Sequence, residues 1–176
     1  MDHFMEEIVV KKQKGLNEAL YYLSAVLMVL FGLIAMFMFS FVFASFSIPT
    51  LVILLVSAGS CALIFLRRDR LRTDYEYTFT NGDMDFAMVF NNKKRKNLGT
   101  MKVRNVEAFG PVSGAAFQRY VTMQGVKTSN WFLNRGAELY YFYFVKENSK
   151  RLIVIEPSQA MVDYIKKYIP REAFKG

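Results

Sequence analysis

The sequence predicts an α+β membrane protein: a two-helix transmembrane hairpin followed by a mostly antiparallel β domain with one C-terminal amphipathic helix. Three observations carry this reading. The run from Ala19 to Leu66 contains no Asp, Glu, Lys, Arg or His. From Asp74 onward apolar residues alternate with polar ones in short runs broken by turn dipeptides, the pattern of half-buried strands. After Pro157 the apolar spacing lengthens to that of a helix.

Residues 1–15 form an N-terminal segment in which Phe4, Met5, Ile8 and Val9 recur at helix-like spacing among Glu6, Glu7, Lys11 and Lys12. This predicts a short helix lying on the membrane or on the β domain, or else a partly ordered tail. The hairpin occupies residues 16–66. As one helix, the run from Ala19 to Leu66 would be a rod of roughly 70 Å, more than twice the hydrocarbon thickness of a bilayer. The chain must therefore turn, and Phe46-Ser47-Ile48-Pro49-Thr50 supplies the break, because proline suits the first turn of a helix. Phe37, Phe39, Phe41 and Phe43 alternate as in a strand, but a lone strand in lipid leaves its backbone unpaired, so the helix stands. A secretory signal does not fit, since its apolar core is shorter and ends at a small-residue cleavage site. Small residues, Ala25, Gly32 and Ala35 in one span and Ser57, Gly59 and Cys61 in the other, allow close helix packing. Cys61, the single cysteine, is read as one of these packing residues. No ionisable side chain lies inside either span, which leaves a proton relay or ion pathway without candidates.

The formal net charge is +8. Residues 67–176 hold twenty Lys and Arg against eleven Asp and Glu, whereas residues 1–18 hold three Lys against four carboxylates. Lys11, Lys12 and Lys14 precede the first span, Arg67, Arg68, Arg70 and Arg72 follow the second, and the turn between is uncharged. These residues set the expected topology: a cell-membrane protein with both termini cytoplasmic.

After a basic juxtamembrane linker, residues 67–73, the β domain spans residues 74–176. Tyr75, Tyr77 and Phe79 alternate with polar residues, Asn81-Gly82 marks a tight hairpin, and Met84, Phe86, Met88 and Phe90 resume the alternation. A basic turn, Asn91 to Asn97, leads to a third strand through Leu98, Met101 and Val103. Phe117 to Met123 and Trp131 to Leu133 are shorter strand candidates. Leu139 to Val145 and Leu152 to Ile155 form a second hairpin. Ser158 then caps a helix whose Met161, Val162, Ile165, Tyr168 and Ile169 share one face, and Pro170 ends it.

Six or seven strands and a terminal helix are the order of a pleckstrin-homology-like fold. The chain resembles a family of small bacterial membrane proteins in which two spans precede a cytoplasmic pleckstrin-homology-like domain. The resemblance rests on that order of parts, on Asp74-Tyr75-Glu76-Tyr77-Thr78-Phe79-Thr80-Asn81-Gly82 after a basic stop, and on Ile155-Glu156-Pro157-Ser158 before the last helix. It implies a fold and a location, and no functional residues.

No catalytic, cofactor-binding or metal-ligating set stands out, and no cofactor is expected. His3 is the only histidine, which removes histidine-dependent triads and multi-histidine zinc sites. Asp83 and Asp85 share a strand face and read as solvated hairpin carboxylates. Lys93, Lys94, Arg95 and Lys96 are the candidate contact for anionic lipid headgroups, each cation contributing about 1 kcal/mol near a membrane surface. Their plainer reading is a solvated turn that keeps exposed strands apart. Nucleic acid is disfavoured, as no recognition helix or stacking motif accompanies the charge. The aromatic run from Leu139 to Val145 reads as core, with a peptide- or subunit-binding face as its alternative. The expected function is a non-enzymatic membrane-anchored binding or scaffold protein, its domain presented at the inner membrane face. The alternative is a structural subunit of a larger membrane complex, packing through its two helices. Expected partners are the lipid bilayer and either anionic headgroups or a membrane protein, and a homo-oligomer is compatible with both readings.

Overall fold

A computed structural model describes residues 3–175, which divide into two compact units. Of the described residues, one unit comprises 13–73 with 90–93, and the other 3–12, 74–89 and 94–175.

The first unit is a helical hairpin, α1 (Gly15–Ala44) and α2 (Ile48–Arg67), continued by a 3-10 turn at Arg68–Leu71. The Ser47 side chain accepts the Thr50 N–H at 3.4 Å and Pro49 occupies the first turn, so α2 begins where the sequence placed its break. Both helices are long and apolar enough to cross a membrane, with mean hydropathy of 2.7 and 2.3. They approach through small residues. The Cys61 Sγ donates to the Met28 carbonyl at 3.4 Å, and a Cβ on Gly32 would stand 3.9 Å from the same sulfur.

The second unit holds two four-stranded sheets. The first runs in the order β1 (Phe4–Val9), β2 (Thr73–Thr80), β3 (Asp83–Phe90), β4 (Lys94–Lys102). The second runs β5 (Ala108–Pro111), β7 (Tyr140–Lys146), β8 (Ser149–Ile155), β6 (Val126–Trp131), with α3 (Ala115–Val121) before β6 and α4 (Gln159–Tyr168) after β8. The pairs β5–β7 and β7–β8 are antiparallel, and β6 runs parallel to β8.

Three features differ from the sequence reading. Residues 4–9 are neither a surface helix nor a tail but the strand β1, antiparallel to β2 from Phe4 opposite Thr80 to Val9 opposite Tyr75. The apolar spacing of Phe4, Met5, Ile8 and Val9 fits a strand as well: Met5 and Val9 face the core while Phe4 and Ile8 face solvent. The apolar helical hairpin is thus an insertion between two neighbouring strands. Next, Phe117 to Met123 belongs to α3 and its C-terminal turn, where Phe117 and Tyr120 form a helical face over the second sheet. Finally, Lys94, Arg95 and Lys96 lie on β4, and only Asn91, Asn92 and Lys93 form the turn before it.

The main core lies between the sheets. Tyr77, Phe79, Met84, Phe86, Phe142 and Ile155 meet there, and Met161, Val162 and Ile165 of α4 close it. Tyr140, Phe142 and Phe144 face this core, while Tyr141 and Tyr143 face a second one under α3. The aromatic run is buried on both faces, so it offers no open binding face. At the Asn81-Gly82 turn both residues have positive φ, 49° and 98°, as a two-residue hairpin loop requires.

Candidate functional site

The charged base of the hairpin is an interlocked cluster. Arg72 places its guanidinium carbon 3.7 Å from the centre of the Tyr21 ring and pairs with Glu18, its Nε donating at 3.0 Å. Arg68 lies 4.5 Å over the same ring and donates to the Tyr21 hydroxyl at 2.7 Å. Asn91 donates to that hydroxyl at 3.2 Å and to Asp69 at 2.9 Å, and its N–H donates to the Arg72 carbonyl at 2.6 Å. Of the cations expected to set topology, Arg68 and Arg72 therefore also act as structural contacts. Lys11 and Lys12 leave β1, Lys14 precedes α1, and Arg67 and Arg70 occupy the end of α2 and its 3-10 turn.

The four candidate lipid-contacting cations do not form one patch. Leu98 and Met101 both pack against the main core although three positions apart, and Gly99 between them has φ of 147°. That extra residue is a β-bulge. Counting back from Leu98 in steps of two, Lys96 and Lys94 share one parity and Arg95 the other. Arg95 accordingly reaches the outer face of the first sheet, where its guanidinium lies 2.7 Å from a Glu76 carboxylate oxygen. Lys94 and Lys96 are exposed, and Lys93 sits in the preceding turn.

Arg95 and Glu76 line an outer-face groove of about 560 Å³ together with Glu6, Thr78, Asp85 and Asn97. Glu76 is only 8% exposed, and Glu6 lines the groove beside it. Burial first and the neighbouring Glu6 second hold Glu76 above the usual carboxylate range, opposed by Arg95. Asp85 accepts a bond from the Thr100 hydroxyl. Sequence reasoning missed Glu6 and Glu76, because residues 70 positions apart meet only through the β1–β2 pairing.

The groove carries polar and charged groups suited to holding a ligand. Among the described residues no group of three or more His, Cys, Asp or Glu is arranged to hold a metal. His3 packs edge-on to Tyr164 and Tyr168, with centroids 5.7 and 5.9 Å away.

A second groove, of about 450 Å³, lies beside β1 and holds Glu7, Lys12, Glu138 and Glu156. Asn134 spans it, donating to the Val10 carbonyl at 3.0 Å and accepting the Lys12 N–H at 2.8 Å.

A family model described as Bacterial PH-like domain (DUF6106) matches residues 1–175. No curated protein and no solved structure matches the chain.

Proposed function

The chain belongs to the bacterial PH-like domain family, and from that premise we propose a non-enzymatic, membrane-anchored binding or scaffold protein whose β domain is presented at the cytoplasmic face. The β1–β2 pairing carries this reading. Two strands of one sheet lie on one side of a bilayer, so the segment between them must cross an even number of times. The two apolar helices between Val9 and Thr73 supply those crossings. Lys11, Lys12, Lys14, Arg67, Arg68, Arg70 and Arg72 at the two ends favour the cytoplasm for that side. Reporter fusions test the orientation: a cytoplasmic reporter should be active at either terminus, and activity of an exported reporter at the C-terminus overturns it.

Lys93, Lys94 and Lys96 are the cations left for anionic headgroups, since Arg95 is engaged by Glu76. A soluble form needs β1, so a Gly-Ser linker should replace residues 13–72 rather than the chain be cut at Asp74. Co-sedimentation with phosphatidylserine vesicles should fall with salt and with the triple change Lys93→Gln, Lys94→Gln, Lys96→Gln. Unchanged binding by that variant removes lipid contact from the proposal. The subunit reading has less support, because Gly32 and Cys61, which a partner helix could have used, face each other inside the hairpin.

A further inference from the structure

The first sheet ends in two edges of opposite character. In the β1–β2 ladder the His3 carbonyl accepts the Asn81 N–H at 3.0 Å, so His3, Met5, Glu7 and Val9 direct their backbone groups at β2. Phe4, Glu6 and Ile8 direct theirs outward. The Val10 carbonyl follows the same parity, and it is the one Asn134 has taken. Among the described residues no strand pairs with this outer side.

The other edges are guarded. β4 is bulged at Gly99 and carries Lys94, Arg95, Lys96 and Lys102. β5 is flanked by the C-terminal segment, whose Lys175 N–H donates to the Phe109 carbonyl at 2.8 Å. β6 exposes Lys127, Thr128 and Asn130. β1 has no bulge, proline or lysine, and its Phe4 and Ile8 side chains are 59% and 60% exposed.

Charge identifies the occupant. The groove beside Ile8 and Val10 holds Glu7, Glu138 and Glu156 against the single cation Lys12. The described partners of all three carboxylates are neutral donors. Ser158 N–H donates to Glu7 at 2.8 and 3.0 Å, the Tyr140 hydroxyl to Glu138 at 3.0 Å, and the N–H groups of Leu133 and Asn134 to Glu156 at 3.2 and 3.0 Å. Neutral donors fix a carboxylate in place without cancelling its charge. In a chain of net charge +8, this is a local acidic surface beside an open strand edge.

We propose that the outer edge of β1 accepts an extended segment of another protein, alternating apolar residues with Lys or Arg, as a fifth strand of the first sheet. Backbone bonds to Phe4, Glu6 and Ile8 supply the pairing, apolar side chains cover Phe4 and Ile8, and the basic residues meet the carboxylates. A second copy of this chain is a poorer occupant: antiparallel β1–β1 pairing centred on Glu6 sets like charges opposite each other, and β4 of another copy is bulged. This inference goes beyond the membrane-anchor reading and does not depend on lipid contact.

The probe is a fluorescent heptapeptide of alternating lysine and valine, with the full chain in neutral maltoside micelles and binding read by anisotropy. Ile8→Pro removes an outward N–H and leaves the β2-directed groups of Met5, Glu7 and Val9 in place. It should weaken binding about tenfold, the loss of one or two backbone bonds. Glu138→Gln should weaken it about threefold. A peptide N-methylated at alternate residues, which tests the backbone bonds without altering the protein, should bind at least about tenfold more weakly, and a glutamate-for-lysine peptide should not bind. Equal binding of the N-methylated or acidic peptide overturns the proposal. So does self-association without peptide that Ile8→Pro abolishes, since β1 would then be occupied by a second copy.

Discussion

The Ser158 N–H at the start of α4 donates to both carboxylate oxygens of Glu7 on β1, at 2.8 and 3.0 Å, across 151 residues of sequence. Ser158 in turn accepts the Met161 N–H at 3.3 Å, so one chain of bonds joins the first strand to the last helix. A charged acceptor on a partly buried N–H contributes about 2 kcal/mol. Glu7→Ala should lower stability by that amount, and Glu7→Gln by less. Urea unfolding of the full chain in micelles, followed through Trp131, which packs 4.8 Å from Phe86, measures both. An unchanged midpoint for Glu7→Ala means the bond contributes nothing net.

Arg72 joins two interactions that a lysine cannot reproduce, a planar stack on Tyr21 and a two-point contact with Glu18. Both side chains of the ion pair are partly exposed, so the charge itself counts for little and the stack for more. Arg72→Lys should lower the thermal midpoint of the hairpin in micelles by about a few degrees. Circular dichroism at the helical band reads it. A midpoint unchanged at both low and high salt rules out the stack as a stabilising contact.

The hairpin and the terminal helix were legible because their signals are local. Absence of charge from Ala19 to Leu66, Ser47-Ile48-Pro49 and the face from Met161 to Ile169 all lie within single elements. The strands flanking Asn81-Gly82 were legible for the same reason. β1 was not, since six residues of mixed pattern become a strand only by pairing with β2, beyond a hairpin that separates them. The groove suffered with it: Asp85 and Arg95 are visible in sequence, but Glu6 and Glu76 meet only after that pairing. The split of the basic run was hidden because Asn91 to Asn97 reads as a turn, whereas Lys94, Arg95 and Lys96 lie on β4, where neighbouring residues face opposite sides.

Gly110 on β5 has no room for a side chain. A Cβ there would sit against the carbonyl oxygen of Lys175, which is backbone held by the bond from its own N–H to Phe109. Gly110→Ala should destabilise the domain by about 1–3 kcal/mol and speed proteolysis of the residues after Pro170. Gly136→Ala, where nothing lies within 4 Å, is the control and should be neutral. Equal behaviour of the two variants means the C-terminal segment does not depend on this contact.

The burial of Glu76 in the groove it shares with Glu6 predicts the pH dependence. Burial comes first and the Glu6 carboxyl second in raising Glu76, while Arg95 on β4 opposes them and Asp85 on β3 lines the same groove. A carboxyl raised on folding binds its proton more tightly in the folded chain than in the unfolded one. Its contribution is therefore fully present below the ordinary glutamate value of about 4.3 and is lost as pH rises through the folded value. The urea midpoint should thus fall between acid and neutral pH by an amount that Glu6→Gln reduces, because a neutral amide replaces the neighbouring carboxyl that helps to raise Glu76, while the burial remains. At neutral pH Glu6→Gln should be more stable than the parent, because it removes a like charge beside the poorly solvated Glu76. Arg95→Gln should act oppositely, steepening the fall, since it withdraws a cation paired with Glu76. If the parent and Glu6→Gln share the same pH slope, Glu6 does not contribute to raising Glu76.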